Sequence, residues 1–118
     1  MKKEARGFKE FEDCVVLYTD NYLNDIEGEK LEEECNEFFR KGRKRVIIDF
    51  GNTELINSIG ISILVAIMEK VREEKGVIFF SGLKKVNYDI FNTLGLTKDI
   101  PIFKTEEEAL EKMMVDNF

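Results

Sequence analysis

Asp49-Phe-Gly-Asn-Thr-Glu-Leu-Ile-Asn-Ser-Ile-Gly-Ile-Ser-Ile-Leu64 is the stretch around which the rest of the chain is arranged. Val46-Ile-Ile-Asp-Phe50 leads into it as a short, β-branched, buried strand, stopped by Gly51-Asn52. Behind it, Ile59 to Met68 is a dense apolar run whose only polar side chain is Ser62. The order is strand, polar loop, helix start, with the Ser58 hydroxyl where the helix begins. Ser and Asn are favoured at helix N-caps because their oxygens accept from otherwise unpaired N–H groups. The positive end of the helix dipole also favours an anion there. A phosphate on Ser58 would add about −1.5 to −2 charges to the surface without disturbing the core. Two readings therefore stand side by side: Ser58 as a helix cap, and Ser58 as a switch.

The 118 residues are expected to form one domain with a single core. A hydrophobic content of 43% and a single proline exclude global disorder. A net charge of −6 argues against nucleic acid or an anionic membrane as the main partner and is more compatible with a basic protein face. Cys14 and Cys35 each sit in an apolar pattern and read as small buried hydrophobes, with a disulfide or redox site as the minor alternative. The absence of histidine removes the usual zinc sites and histidine-activated nucleophiles, and no metal or cofactor is implied. No apolar signal core follows Met1-Lys-Lys-Glu-Ala-Arg6, and Ile59–Met68 is too short to cross a bilayer. A soluble cytoplasmic protein is expected.

Residues Gly7 to Glu12 form a weak first strand and Cys14–Thr19 a firmer one, joined as a hairpin through Glu12-Asp13. Asn21–Asp25 is turn-prone. A helix follows from about Ile26 to Arg40, with Leu31, Cys35, Phe38 and Phe39 on one face and glutamates on the other. Lys41-Gly-Arg-Lys-Arg45 supplies its C-terminal basic residues and glycine. The second helix runs from about Ile59 to Glu74, stopping at Lys75-Gly76. Its apolar arc is wide: burial is expected for Leu64, Val65 and Met68, while Ile59 and Ile63 are candidates for a partner contact. Val77–Phe80 is a strand, and Val86–Leu94 a helix with Val86, Ile90, Phe91 and Leu94 on its inner side, ending at Gly95. Asp99–Phe103 reads as an edge strand because it holds the proline. Thr105 and Glu108 form a capping box for a last helix that turns Ala109, Leu110 and Met113 inward, and Asp116–Phe118 frays. No repeat, linker or low-complexity tract is found.

The order is thus β-β-α-β-α-β-α-β-α, an α/β domain of parallel βαβ units in which the initial hairpin makes the sheet mixed. No phosphate-binding glycine motif of the G-x-x-x-x-G-K-[ST] or G-x-G-x-x-G kind is present. Asp49 precedes Phe50 within an apolar strand, and the opening hairpin does not fit a receiver domain. No enzyme is read from these residues.

Asn57-Ser58-Ile59-Gly60, placed after the strand Val46–Phe50, resembles the Asp-Ser-Ser/Thr-Gly signature of STAS domains, the family of bacterial anti-sigma factor antagonists. Gly76 before a strand, Leu94-Gly-Leu96 before the last strand and Thr105–Leu110 opening the last helix match in register. Asn57 stands where the motif has Asp, Ile59 where it has its second Ser or Thr, and Asn24 where an acidic residue is common near the first helix. The resemblance implies helices packed mainly on one sheet face and a protein-interaction module, to which the charge and the short apolar run add the expectation of no nucleic acid partner and no membrane insertion. It implies Ser58 as the phosphoacceptor of a partner serine kinase that is also the anti-sigma factor. Asn24, Asp25, Asn57, Ile59, Gly60 and Ile63 are expected around the docking surface. The alternative is a constitutive STAS subunit of a signalling or transport assembly in which Ser58 only caps its helix, and a small-molecule or nucleotide-binding domain is a third class.

Overall fold

Three buried strands carry the architecture. The computed structural model describes residues 7–12 and 14–115, so Asp13 of the expected hairpin turn and the terminal Asp116–Phe118 lie outside the described residues. Strands β1 (Gly7–Glu10) and β2 (Val15–Tyr18) pair antiparallel. Then β2, β4 (Arg45–Asp49), β6 (Val77–Ser81) and β7 (Ile102–Phe103) run parallel, giving the sheet order β1-β2-β4-β6-β7. Side chains alternate across a sheet, so the register sorts this run of apolar residues into two cores. Val15, Val46 and Ile78, with Leu17, Ile48 and Phe80, face one side; Val16, Ile47 and Phe79 face the other.

Helices α1 (Asp25–Arg40), α2 (Ser58–Glu73) and α3 (Lys85–Thr93) cover the first face and α4 (Glu106–Val115) the second, so the helices lie mainly on one side, as expected. In α1 the inward set is Gly28, Leu31, Cys35, Phe38 and Phe39. In α2 it is Gly60, Leu64, Ile67, Met68 and Val71, while Val65 is only half-buried. Thr105 Oγ1 accepts from Glu108 N at 3.1 Å as the cap of α4, while Glu108 Oε1 reaches one residue past the cap and accepts from Lys104 N at 3.3 Å. Phe50 stands edge-on to Phe80 and Phe91, at centroid distances of 5.1 and 6.0 Å, and so joins β6 and α3 to the end of β4.

Three expectations need correction. The inward face of α3 holds Asn87 and Phe91, whereas Val86 and Leu94 are more than half exposed. A polar residue takes the inner position because Asn87 Nδ2 donates to the Thr53 and Glu54 carbonyls, both at 3.4 Å. The last strand is reduced to two residues, preceded by a 3₁₀ turn at Leu96–Lys98. The turn-prone segments around Asn21–Asp25 and Asn52–Asn57 contain β3 (Tyr22–Leu23) and β5 (Leu55–Ile56), which pair parallel as a separate two-stranded sheet. The helix α2 does stop at Lys75-Gly76: Lys75 takes the left-handed conformation (φ 60°), and Gly76 is required because a Cβ there would run into the Lys44 carbonyl.

Both thiols are reduced and buried, Cys14 in the α4 core and Cys35 in the larger one, as small hydrophobes. Burial, then the nearby Glu32 carboxylate, pushes the Cys35 thiol up to about 12. The unfolded chain releases this proton first as pH rises, so Cys35 adds stability below about pH 8.5 that is lost progressively toward pH 12. At pH 8 a thiol reagent is expected to label neither cysteine of the native protein over a period in which it labels both in urea. Gly60→Ala sets a helix-propensity gain of about 1 kcal/mol against a clash with the Leu23 carbonyl oxygen. The carbonyl is backbone of a paired strand and has little room to yield, so a net loss of about 1–3 kcal/mol is expected. Urea unfolding at unchanged m-value measures it, and Gly7→Ala, with nothing within 4 Å, serves as the neutral control.

Candidate functional site

Because β3 and β5 are parallel and in register, Tyr22 opposite Leu55 and Leu23 opposite Ile56, the helices that follow start side by side. Residues 22–27 and 55–60 correspond one to one. Tyr22 and Leu55 point outward and Leu23 and Ile56 into the core. Asn24 Oδ1 accepts from Glu27 N at 3.0 Å, and Asn57 Oδ1 accepts from Gly60 N at 2.7 Å, so each helix has an asparagine N-cap. Asp25 and Ser58 are the first helical residues and Ile26 and Ile59 the second. Tyr22-Leu-Asn-Asp-Ile26 and Leu55-Ile-Asn-Ser-Ile59 therefore form a short repeat, contrary to the reading that found none. The repeat was available in the sequence, but five residues of common types are recognisable as a repeat only once the pairing of β3 with β5 is known.

The cap of α2 is Asn57, which corrects the reading of Ser58 as a cap. Asn57 also donates from Nδ2 to the Tyr22 hydroxyl at 3.3 Å and from its backbone N to Leu23 O at 3.1 Å. Ser58 is exposed, and its carbonyl accepts from Ser62 Oγ at 3.1 Å. With the cap supplied by its neighbour, the Ser58 side chain has no role in holding the helix. The structure brings Asn24, Asp25, Asn57, Ser58 and Ile59 to one end of the molecule. Gly60 and Ile63 face the protein instead, because helical periodicity turns them inward. Gly60 lies under the Leu23 carbonyl, and Ile63 is half-buried against Gly28, where an added Cβ would sit 2.7 Å from Ile63 Cδ1.

Exposed apolar side chains surround Ser58 in number. Tyr22 is 41% exposed, Leu55 50%, Ile59 51% and Ile26 58%, one on each of the four elements that converge here. Of these only Ile59 was legible as a candidate; the other three lie on two-residue strands or in a first helical turn, where no hydrophobic period exists to be read. Polar bonds fix the loop behind them. Thr53 is buried, donates to the Asp20 carbonyl at 2.6 Å and shares a hydrogen bond with the Thr19 hydroxyl. Asp49 accepts from Ser81 Oγ at 2.6 Å and from Gly51 N at 2.9 Å, so both its carboxylate oxygens are engaged in holding strand ends. Among the described residues no group of histidine, cysteine or carboxylate side chains could hold a metal ion, and no helix is long and apolar enough to cross a membrane.

The family model that describes the STAS domain matches residues 7–109. The chain belongs to the STAS domain family. Among STAS relatives named as anti-sigma factor antagonists, BtrV of Bordetella bronchiseptica is 26% identical over 95 residues, covering 80% of this chain and 82% of its own. The TM1081 homolog of Thermotoga neapolitana is 29% identical over 111 residues, covering 90% and 95%. Among solved structures, the Thermotoga maritima anti-sigma factor antagonist superposes with a TM-score of 0.81 at 21% identity, covering 91% of this chain and 92% of that one. Phosphorylated SpoIIAA of Bacillus superposes at 0.76 and 18%, covering 92% and 99%. These structures share the STAS fold, with its mixed sheet and four helices, and the chain is an anti-sigma factor antagonist-like STAS domain.

Asn57→Ala is expected to lower unfolding free energy by about 1 kcal/mol through loss of the cap. Ser58→Ala should change it by less than about 0.5 kcal/mol. Chemical denaturation of the two variants distinguishes which side chain caps α2.

Proposed function

We propose that this STAS domain is a protein-interaction module, not an enzyme, whose docking is switched by phosphorylation of Ser58. In this reading a serine kinase that also acts as an anti-sigma factor binds the unmodified surface, so that a sigma factor is released. The kinase then uses ATP to phosphorylate Ser58, and the complex weakens. One observation carries the proposal: the Ser58 hydroxyl is exposed in the first turn of α2 while Asn57 does the capping. A dianion at that position is favoured by the helix dipole and leaves the core untouched, yet it must be desolvated when a partner covers it. SpoIIAA, whose solved structures include phosphorylated and unphosphorylated forms, gives the proposal a precedent of the same fold.

Asn24 and Asn57, amides at both caps, favour a second reading: a constitutive subunit of a signalling or transport assembly. Incubation with the partner kinase and ATP, followed by mass spectrometry, is expected to place one phosphate on Ser58 and none on the Ser58→Ala protein. Absence of label where a positive-control substrate is labelled would sink the switch. Ser58→Asp is expected to weaken partner binding at least tenfold, whereas unchanged affinity would favour the constitutive subunit.

A further inference from the structure

The approach to each helix and its first turn hold no basic residue: there is no Lys or Arg between Glu10 and Glu29, nor between Val46 and Glu69. These segments do carry Asp20, Asp25, Glu27 and Glu54, of which Asp25 and Glu54 are exposed. Two lysines reach these acids, Lys30 from the second turn of α1 and Lys84 from the residue before α3. Lys30 sits 3.5 Å from Glu27, and Lys84 donates to the Gly51 carbonyl at 2.9 Å while lying 3.8 Å from Glu54. Four carboxylates against these two lysines leave the exposed side chains Tyr22, Ile26, Leu55 and Ile59 in a surround that is negative on balance.

Two other features of the described surface lack one half of this combination. The concavity of about 340 Å³ on α1, lined by Lys30, Glu33, Glu34 and Glu37, is acidic without apolar anchors. The exposed Val86 and Leu94 on α3 are apolar, but Lys84 and Lys85 precede them.

We propose that Tyr22, Ile26, Leu55 and Ile59 form the anchor of a docking surface for a partner protein segment that is apolar at its centre and rimmed by arginine or lysine. The inference rests on the interaction-module reading above and names the chemistry of the partner. Apolar anchors supply the short-range affinity; the acidic rim steers a cationic partner and excludes an anionic one. A phosphate on Ser58 would add to a rim that is already negative. Its effect on docking is then the cost of desolvating a dianion among apolar side chains, not long-range repulsion.

A synthetic amphipathic helix with a leucine face flanked by arginines is the probe, and the same peptide with glutamate in place of arginine its control. Titration into isotope-labelled protein is expected to shift the amides of residues 22–26 and 55–59 with the arginine peptide and none with the glutamate peptide. Affinity should fall at least fivefold between 50 and 500 mM salt, since the rim charges are exposed. Leu55→Ser and Ile59→Ser should each weaken binding at least fivefold, and Val86→Ser should leave it within twofold. Shifts centred on α3 or on the acidic face of α1, or equal binding of both peptides, would overturn the proposal. The two readings fail separately. If Ser58 accepts no phosphate but the probe maps here, the surface stands and the switch falls; if Ser58 is labelled and the probe lands elsewhere, the reverse holds.

Discussion

The carbonyl oxygen of Leu23 is where the two halves of the site are joined. It accepts from the backbone N–H of Asn57 at 3.1 Å, and it occupies the space that any side chain at position 60 would need. The glycine therefore lets α2 seat against β3, and the hydrogen bond fixes the step from β5 into the helix. Because the pairing is parallel, both chains leave the small sheet in the same direction, and both helices present their N-terminal turns on the same side. An antiparallel pair would have sent one helix start to the opposite end. The surface around Ser58 is a consequence of this backbone arrangement before it is a consequence of any side chain.

Rigidity behind that surface comes from buried polar side chains that bond to neighbouring elements. Thr19 and Thr53 tie the end of β2 to the loop after β4, Asn87 reaches the same loop from α3, and Asp49 bridges to Ser81 on β6. Each bond is modest on its own, about 1 kcal/mol net. Their placement matters more than their sum, since they hold one loop from three sides and leave β5 and the start of α2 little freedom. The exposed apolar side chains are thereby displayed on a fixed frame, which lowers the entropy lost on docking.

Much of this fold was legible because β2, β4 and β6 are uninterrupted runs of β-branched and aromatic residues, which only a sheet covered on both faces accommodates. The faces of α1 and α2 followed from their spacing. Three features were hidden, each for a physical reason. Strands β3 and β5 have two residues apiece, so their identity lies in the pairing and not in either segment alone. The inner face of α3 was misread because Asn87 is buried as a hydrogen-bond donor, against the general preference of polar side chains for water. The cap of α2 was placed one residue late, on Ser58 and not Asn57, because both are good N-cap residues and only backbone dihedrals separate adjacent positions. Ser58 itself was found at once, whereas Tyr22, Ile26 and Leu55 needed three-dimensional proximity to become visible.

Among the described residues helix α4 is the one helix on its side of the sheet, resting on Cys14, Val16, Ile47 and Phe79 through Ala109 and Met113, with Leu110 at the margin. The opposite layer holds three helices that support one another. Opening the lone helix would uncover few apolar groups and leave the remaining core intact, so it is the cheapest cooperative unit to detach. Amide protons of its turns are then expected to exchange with solvent well ahead of those in the central strands. The molecule is accordingly a firm three-helix layer, which carries the docking end, backed by a loosely held cover.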